Sequence, residues 1–123
     1  METTIERPAV SGKGRLITLW ILSGLAALAF IGAGGSKLAG AAAMVAMFDK
    51  VGLGQWFRYV TGLLEVAAGI GLLMPRSAFY SAVLLALVMA GASTAHLTVL
   101  GTSPAAPVAL FVLTGIIAYL RKP

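Results

Sequence analysis

Cysteine is absent from the 123-residue chain. That excludes disulfide staples, thiolate-bound zinc, iron–sulfur clusters and any dithiol chemistry carried by the chain itself. Charge is also scarce: Asp, Glu, Lys and Arg make up 11% of the residues, against about 25% in an average soluble domain. There is one histidine and four acidic residues, so no haem-ligating histidine pair and no Ser–His–Asp arrangement can be assembled. A lone His with a lone Glu is a poor metal site.

The apolar residues, in contrast, reach 59%, and the mean hydropathy is +0.97. So little charge cannot coat a water-facing surface around so much apolar material, and disordered chains are poor in these same residues. The composition predicts an integral membrane protein. A spanning helix takes roughly 17–25 residues, so the length allows four short spans and leaves no room for a soluble domain. The net charge of +5 and pI near 10.1 fit Lys and Arg collected in cytoplasmic flanks beside anionic membrane lipids. No basic recognition motif points to nucleic acid.

The chain divides accordingly. Residues 1–15 form a mobile basic entry segment with Glu2, Glu6, Arg7, Lys13 and Arg15, and 121–123 a basic tail. Spans are expected at about 16–35, 56–74, 78–100 and 105–120. The first uncharged run, 20 residues long from Leu16 to Gly35, exceeds the 7–15 residues of a signal-peptide core, which favours a retained span. Leu38–Phe48 is apolar but too short to cross, and Asp49, Lys50 and the glycines of VGLG follow it. A short interfacial or re-entrant helix is expected there. The fold class is therefore all-α, an antiparallel up-down four-helix membrane bundle with one extra short segment after span one.

Basic residues set the expected orientation. Arg7, Lys13, Arg15, Arg76, Arg121 and Lys122 fall on one side, and Lys37, Lys50 and Arg58 on the other. The excess places both termini in the cytoplasm of a bacterium, with the protein in its inner membrane. Trp20, Tyr80 and Tyr119 anchor the inner boundary, and Trp56 and Tyr59 the outer one.

Membrane helices meet through small residues and polar contacts. Arg58, Gly62, Glu65, Gly69 and Leu72 recur at spacings of three and four and share one face, as do Met89, Ala92 and His96, and Phe30, Ala33 and Lys37. The glycines of GAGGSK (Gly32–Lys37) lack phosphate-loop spacing and read as close helix contact. The methionines at 44, 47, 74 and 89 read as packing.

Glu65 is the most informative residue. Counted from Met74, it lies about 13–14 Å above the inner boundary, where an acid costs about 2.5–3.5 kcal/mol and marks a functional site by default. The competing reading is a packing residue that holds spans together. Counted the same way, His96, Lys37 and Arg58 also fall in the outer half. A direct Glu65–His96 bond would need tilt or offset. Lys37 and Arg58 either snorkel to the headgroups or turn inward toward Glu65. Together the four outline a small polar pocket on the non-cytoplasmic side, with Ser93 and Thr94 nearby.

The elements G-x-x-K-L (Gly34–Leu38), M-F-D-K-V-G-L-G (Met47–Gly54), G-L-L-E-V-A-A-G-I-G-L-L (Gly62–Leu73) and A-x-x-x-H-L (Ala92–Leu97) resemble the DoxX-like membrane proteins. The likeness runs from about Leu16 to Leu120, and the G-x-x-E-x-x-x-G core of span two is its most diagnostic piece. It implies a four-helix membrane bundle with both termini on one side. The family is named for subunits linked to a thiosulfate–quinone oxidoreductase; relatives are associated with membrane redox complexes, and distant ones with receptor assembly. The family's intramembrane acid, post-span-one lysine and span-three histidine correspond to Glu65, Lys37 and His96. The lack of cysteine argues against a thiol-redox role for this chain alone.

Three readings remain open. The first is a non-catalytic subunit of a membrane redox assembly that binds a quinone or lipid through the polar cluster and carries no covalent cofactor. The second is a scaffold or assembly factor for other membrane proteins. The third is a small-molecule carrier with Glu65 as its protonatable site, which at this size calls for a homo-oligomer.

Overall fold

The computed structural model describes residues 7–123, with side chains from residue 12. Five α-helices follow in order: α1 (Arg7–Ala39), α2 (Ala42–Val51), α3 (Gln55–Gly71), α4 (Ala78–Ala95) and α5 (Ala105–Arg121). A π-helical turn, His96–Leu100, prolongs α4, and the described residues hold no strand.

Helix α1 is longer than the first apolar run at both ends. Part of the entry segment expected to be mobile, 1–6, lies outside the described residues, and the rest is helical from Arg7 onward. At the other end the helix passes the expected stop at Gly35 and breaks after Ala39, where Gly40 takes φ 74°, a conformation that costs glycine nothing. The extra segment is the 10-residue α2, displaced toward the C-terminus from the expected Leu38–Phe48. It stops at Gly52, whose left-handed backbone returns its N–H to Phe48 O. Helix α3 is shorter than the expected 56–74, because the chain turns from Leu72 onward and Ser77 Oγ donates to Gly71 O at 2.9 Å. The unit 78–100 begins and ends where the sequence places it.

Antiparallel packing follows from the contacts. Gly69 lies against Ile31, and Gly62 against Gly34 and Lys37, so α1 and α3 run in opposite senses. Helix α4 packs most extensively on α5, and contacts of α3 with α4 and of α1 with α5 complete the arrangement. Arg15 at the start of α1 donates to Leu120 O near the end of α5 at 2.5 Å. The core runs along the middle through Leu19, Ala26, Phe30, Ala68, Leu72, Ala82, Leu85, Met89 and Ile117. On α1 the buried positions 19, 23, 26, 27, 30 and 34 recur at three and four, one stripe of a 3.6-residue period.

Two stretches, Gly12–Ala39 and Ala78–Leu100, are long and apolar enough to cross a membrane. Only 28% and 17% of their apolar windows is buried inside the protein, unlike the core helix of a soluble domain. The remainder faces outward, including Leu28 at 74% exposure, Leu87 at 65% and Leu97 at 66%. Helices α3 and α5 have 17 residues each, a rise of about 26 Å against the roughly 30 Å of a hydrocarbon core.

Candidate functional site: a buried ion pair beside an apolar cleft

The site begins with two glycines. A Cβ built on Gly34 would meet Gly62 O at 2.6 Å, and one on Gly62 would meet Gly34 O and Lys37 Cβ at 2.9 Å. Any side chain here would force α1 and α3 apart; without one, the two backbones touch. Of the glycines in GAGGSK only Gly34 makes such a contact, since Gly32 and Gly35 have nothing within 4 Å.

That approach sets Lys37 Cβ level with Gly62, from where its long side chain reaches about one turn along α3 to Glu65. Lys37 Nζ donates to Glu65 Oε1 at 2.8 Å, with the Lys side chain 12% exposed and the Glu side chain 2%. Lys37 therefore turns inward and does not snorkel to the surface. Arg58 also turns inward but does not pair with Glu65. It is buried, donates from Nε to Gln55 Oε1 at 2.6 Å and from Nη1 to Lys37 O, and lies 4.3 Å from the Tyr59 ring centroid. Its cation thus caps the C-terminal end of α1, where unsatisfied carbonyls and the helix dipole favour positive charge.

Gln55 is a functional candidate that sequence reasoning passed over. Besides accepting from Arg58, it donates to Asp49 Oδ1 at 2.8 Å and to Val45 O at 3.0 Å, which fastens α2 to the start of α3. Lys50 fixes the other flank of α2 by donating to Leu100 O at 2.9 Å. Apart from Arg58–Gln55, three residues apart on α3, these bonds join residues on different elements, so nothing local in the sequence announces them.

His96 stands apart from the pair. Its Nδ1 lies 2.6 Å from Thr102 Oγ1, across the loop that follows the π-helical turn. Ser93 and Thr94 are likewise occupied, donating to Met89 O and Ala90 O of their own helix at 2.8 and 2.9 Å. Of the four expected residues, Lys37 and Glu65 pair, Arg58 sits one step behind through the Lys37 carbonyl, and His96 lines the same cleft while bonded to Thr102.

Between them lies a cleft of about 620 Å³. Phe30, Ala33, Lys37 and Glu65 form part of its wall, α3 and α4 its long sides, and α2 and the start of α5 its end; His96 lines it too. Met44, Met47 and Met89 line it, whereas Met74 is exposed on the surface. Among the lining residues only Lys37 and Glu65 belong to the charged Asp, Glu, Lys and Arg class. Volume and lining are those of sites that hold apolar small molecules and orient them with a few polar groups. Among the described residues no three His, Cys, Asp or Glu side chains gather as a metal site requires.

A family model described as the DoxX-like family matches residues 21–119. No curated protein and no solved structure matches the chain.

Proposed function

The chain belongs to the DoxX-like family, and from that premise we propose that it is a non-catalytic membrane component holding a small amphipathic molecule, a quinone or a lipid, in the cleft beside Lys37 and Glu65. In this reading α1, α3, α4 and α5 each cross the bilayer as an up-down four-helix bundle, with α2 packed at one end. Both termini lie on the cytoplasmic side of a bacterial inner membrane. Support for the placement comes from outward-facing leucines along the helices and from exposed aromatics at the two ends, Trp20, Tyr80 and Tyr119 at one and Trp56 and Tyr59 at the other. Membership of a redox assembly rests on the family resemblance.

One observation carries the ligand reading: a buried ion pair lines an otherwise apolar cleft of ligand size. Packing alone has no need of charge at this depth, since an ion pair removed from water gains little over apolar residues of the same volume. Native mass spectrometry of the protein gently extracted from its own membrane tests it. A retained small adduct of quinone or lipid mass, lost in Glu65→Gln, is the expected result. A bare chain bound to another polypeptide would overturn the ligand reading and make this protein a scaffold.

A further inference from the structure

The hydrogen bonds left open around the ion pair specify the head of its ligand. Lys37 Nζ carries three hydrogens and, among the described residues, gives one to Glu65 Oε1. Glu65 is almost wholly buried and lines the cleft, yet among the described residues its Oε2 accepts no hydrogen bond. The two side chains thus offer two unused N–H donors on Lys37 and an unused acceptor on Glu65, side by side on one wall. Their charges cancel, and no other Asp, Glu, Lys or Arg lines the cleft.

We propose that the cleft takes an uncharged amphiphile whose head is a hydroxyl group, its oxygen accepting from Lys37 Nζ while its hydrogen is donated to Glu65 Oε2. This rests on the ligand reading above and narrows it. A carbonyl head, as in an oxidised quinone, accepts from Lys37 but leaves the Glu65 oxygen unsatisfied in an apolar setting. An anionic lipid head would bring an unbalanced charge to a pair that is already neutral, at a high desolvation cost. A hydroxyl both accepts from Lys37 and donates to Glu65, leaving one Lys37 hydrogen free, whereas a carbonyl can serve Lys37 alone. The rest of the molecule is apolar, and it enters sideways from lipid: Val60 and Leu64 of α3 and Leu87 of α4 line the cleft and are also exposed on the outer surface. Two sources share this chemistry, a quinol and a long-chain lipid alcohol.

The test is competitive binding to the purified full-length protein in nanodiscs, read by native mass spectrometry. The probes are oleyl alcohol, its methyl ether, decylubiquinol, decylubiquinone and oleate. Losing a hydrogen bond to a charged group corresponds to about tenfold or more in affinity, so oleyl alcohol should bind about tenfold tighter than its methyl ether. Decylubiquinol should exceed decylubiquinone by a similar factor, and oleate should bind weakest. Either ranking of decylubiquinol against oleyl alcohol supports the inference and identifies the source. In Glu65→Gln the alcohol-to-ether ratio should fall severalfold; the wild-type ratio decides the matter alone if that variant does not fold. Equal binding of alcohol and ether, or of quinol and quinone, would overturn the hydroxyl assignment and leave the cleft as a ligand site. Ala92 lines the cleft, so Ala92→Trp should fill it; failure of every probe to compete for the cleft, with Ala92→Trp binding them as the wild type does, would overturn the ligand reading itself.

Discussion

The α1–α3 and α4–α5 seams both join antiparallel neighbours, and they cohere by different means. Across α1–α3 the backbones touch at Gly34 and Gly62, and Lys37, Glu65 and Arg58 are linked from one helix to the other. Across α4–α5 the filling is aliphatic, with Ala82, Leu85, Met89 and Ile117 in the core. The buried polar group there, Thr114, returns its hydrogen to Leu110 O and Phe111 O of its own helix at 2.8 and 3.1 Å. Gly91 and Gly115 have open space where a Cβ would sit. Lipid tails satisfy an aliphatic face about as well as another helix does, so α4–α5 contact is weakly specific. A charged or polar group in hydrocarbon must find its partner. The α1–α3 seam is therefore held at a single register, and the cleft lies where the two kinds of seam meet.

The contrast breaks most sharply at the ion pair. Lys37→Leu strands Glu65 in the interior and should cost about 3–5 kcal/mol of stability, whereas the double variant Lys37→Leu/Glu65→Leu should recover most of that loss. Detergent unfolding of the purified full chain measures the cycle, and purely additive losses would mean the pair holds nothing together. A step smaller, Gly34→Val should lose about 1–3 kcal/mol by forcing the α1 and α3 backbones apart. Gly115→Ala on α5 should stay within about 0.5 kcal/mol; similar losses at the two sites would erase the distinction between seams. Gln55→Ala should cost about 1–2 kcal/mol, because it leaves Arg58 Nε without its acceptor. It should also raise hydrogen exchange in α2 relative to α5, and unchanged exchange would refute the tether. The smallest change is expected from Thr114→Val, within about 0.5 kcal/mol, since its hydroxyl bonds only its own helix. A loss there as large as that of Lys37→Leu would show that α4–α5 is a polar seam too.

Much of the α1–α3 seam was legible in one dimension. The spacing of Gly62, Glu65 and Gly69 puts them on one face, and depth counting sets Lys37 in the same outer half, with snorkelling and inward pairing both open to it. The partner of Arg58 was not legible, because a guanidinium at the end of α3 reaches either a carboxylate or a helix-terminal carbonyl, and the offset between the two helices selects the second. Depth counting puts His96 in the pocket and it does line the cleft, but its bond to Thr102 across the loop after the π-helical turn is not legible in the sequence. That turn has no periodic signal, since it is a local widening imposed where the chain leaves α4. The shift of α2 from 38–48 to 42–51 has a similar cause. Apolar runs mark where a helix is permitted, whereas Gly40 and Gly52, with left-handed backbone, mark where it stops.

The sequence by itself determined the helical class, the scarcity of charge that makes water an unsuitable solvent for this surface, and the face on which each ionisable residue stands. These depend on composition and on the 3.6-residue period, which are properties of a single helix. The tertiary structure alone decided which of those residues meet. Pairing depends on the rotation, offset and distance between two helices, and here the missing side chains of Gly34 and Gly62 bring the backbones close enough for Lys37 to reach Glu65. The cleft is likewise a property of the assembly, because its walls come from all five helices and no one of them has a cavity of its own.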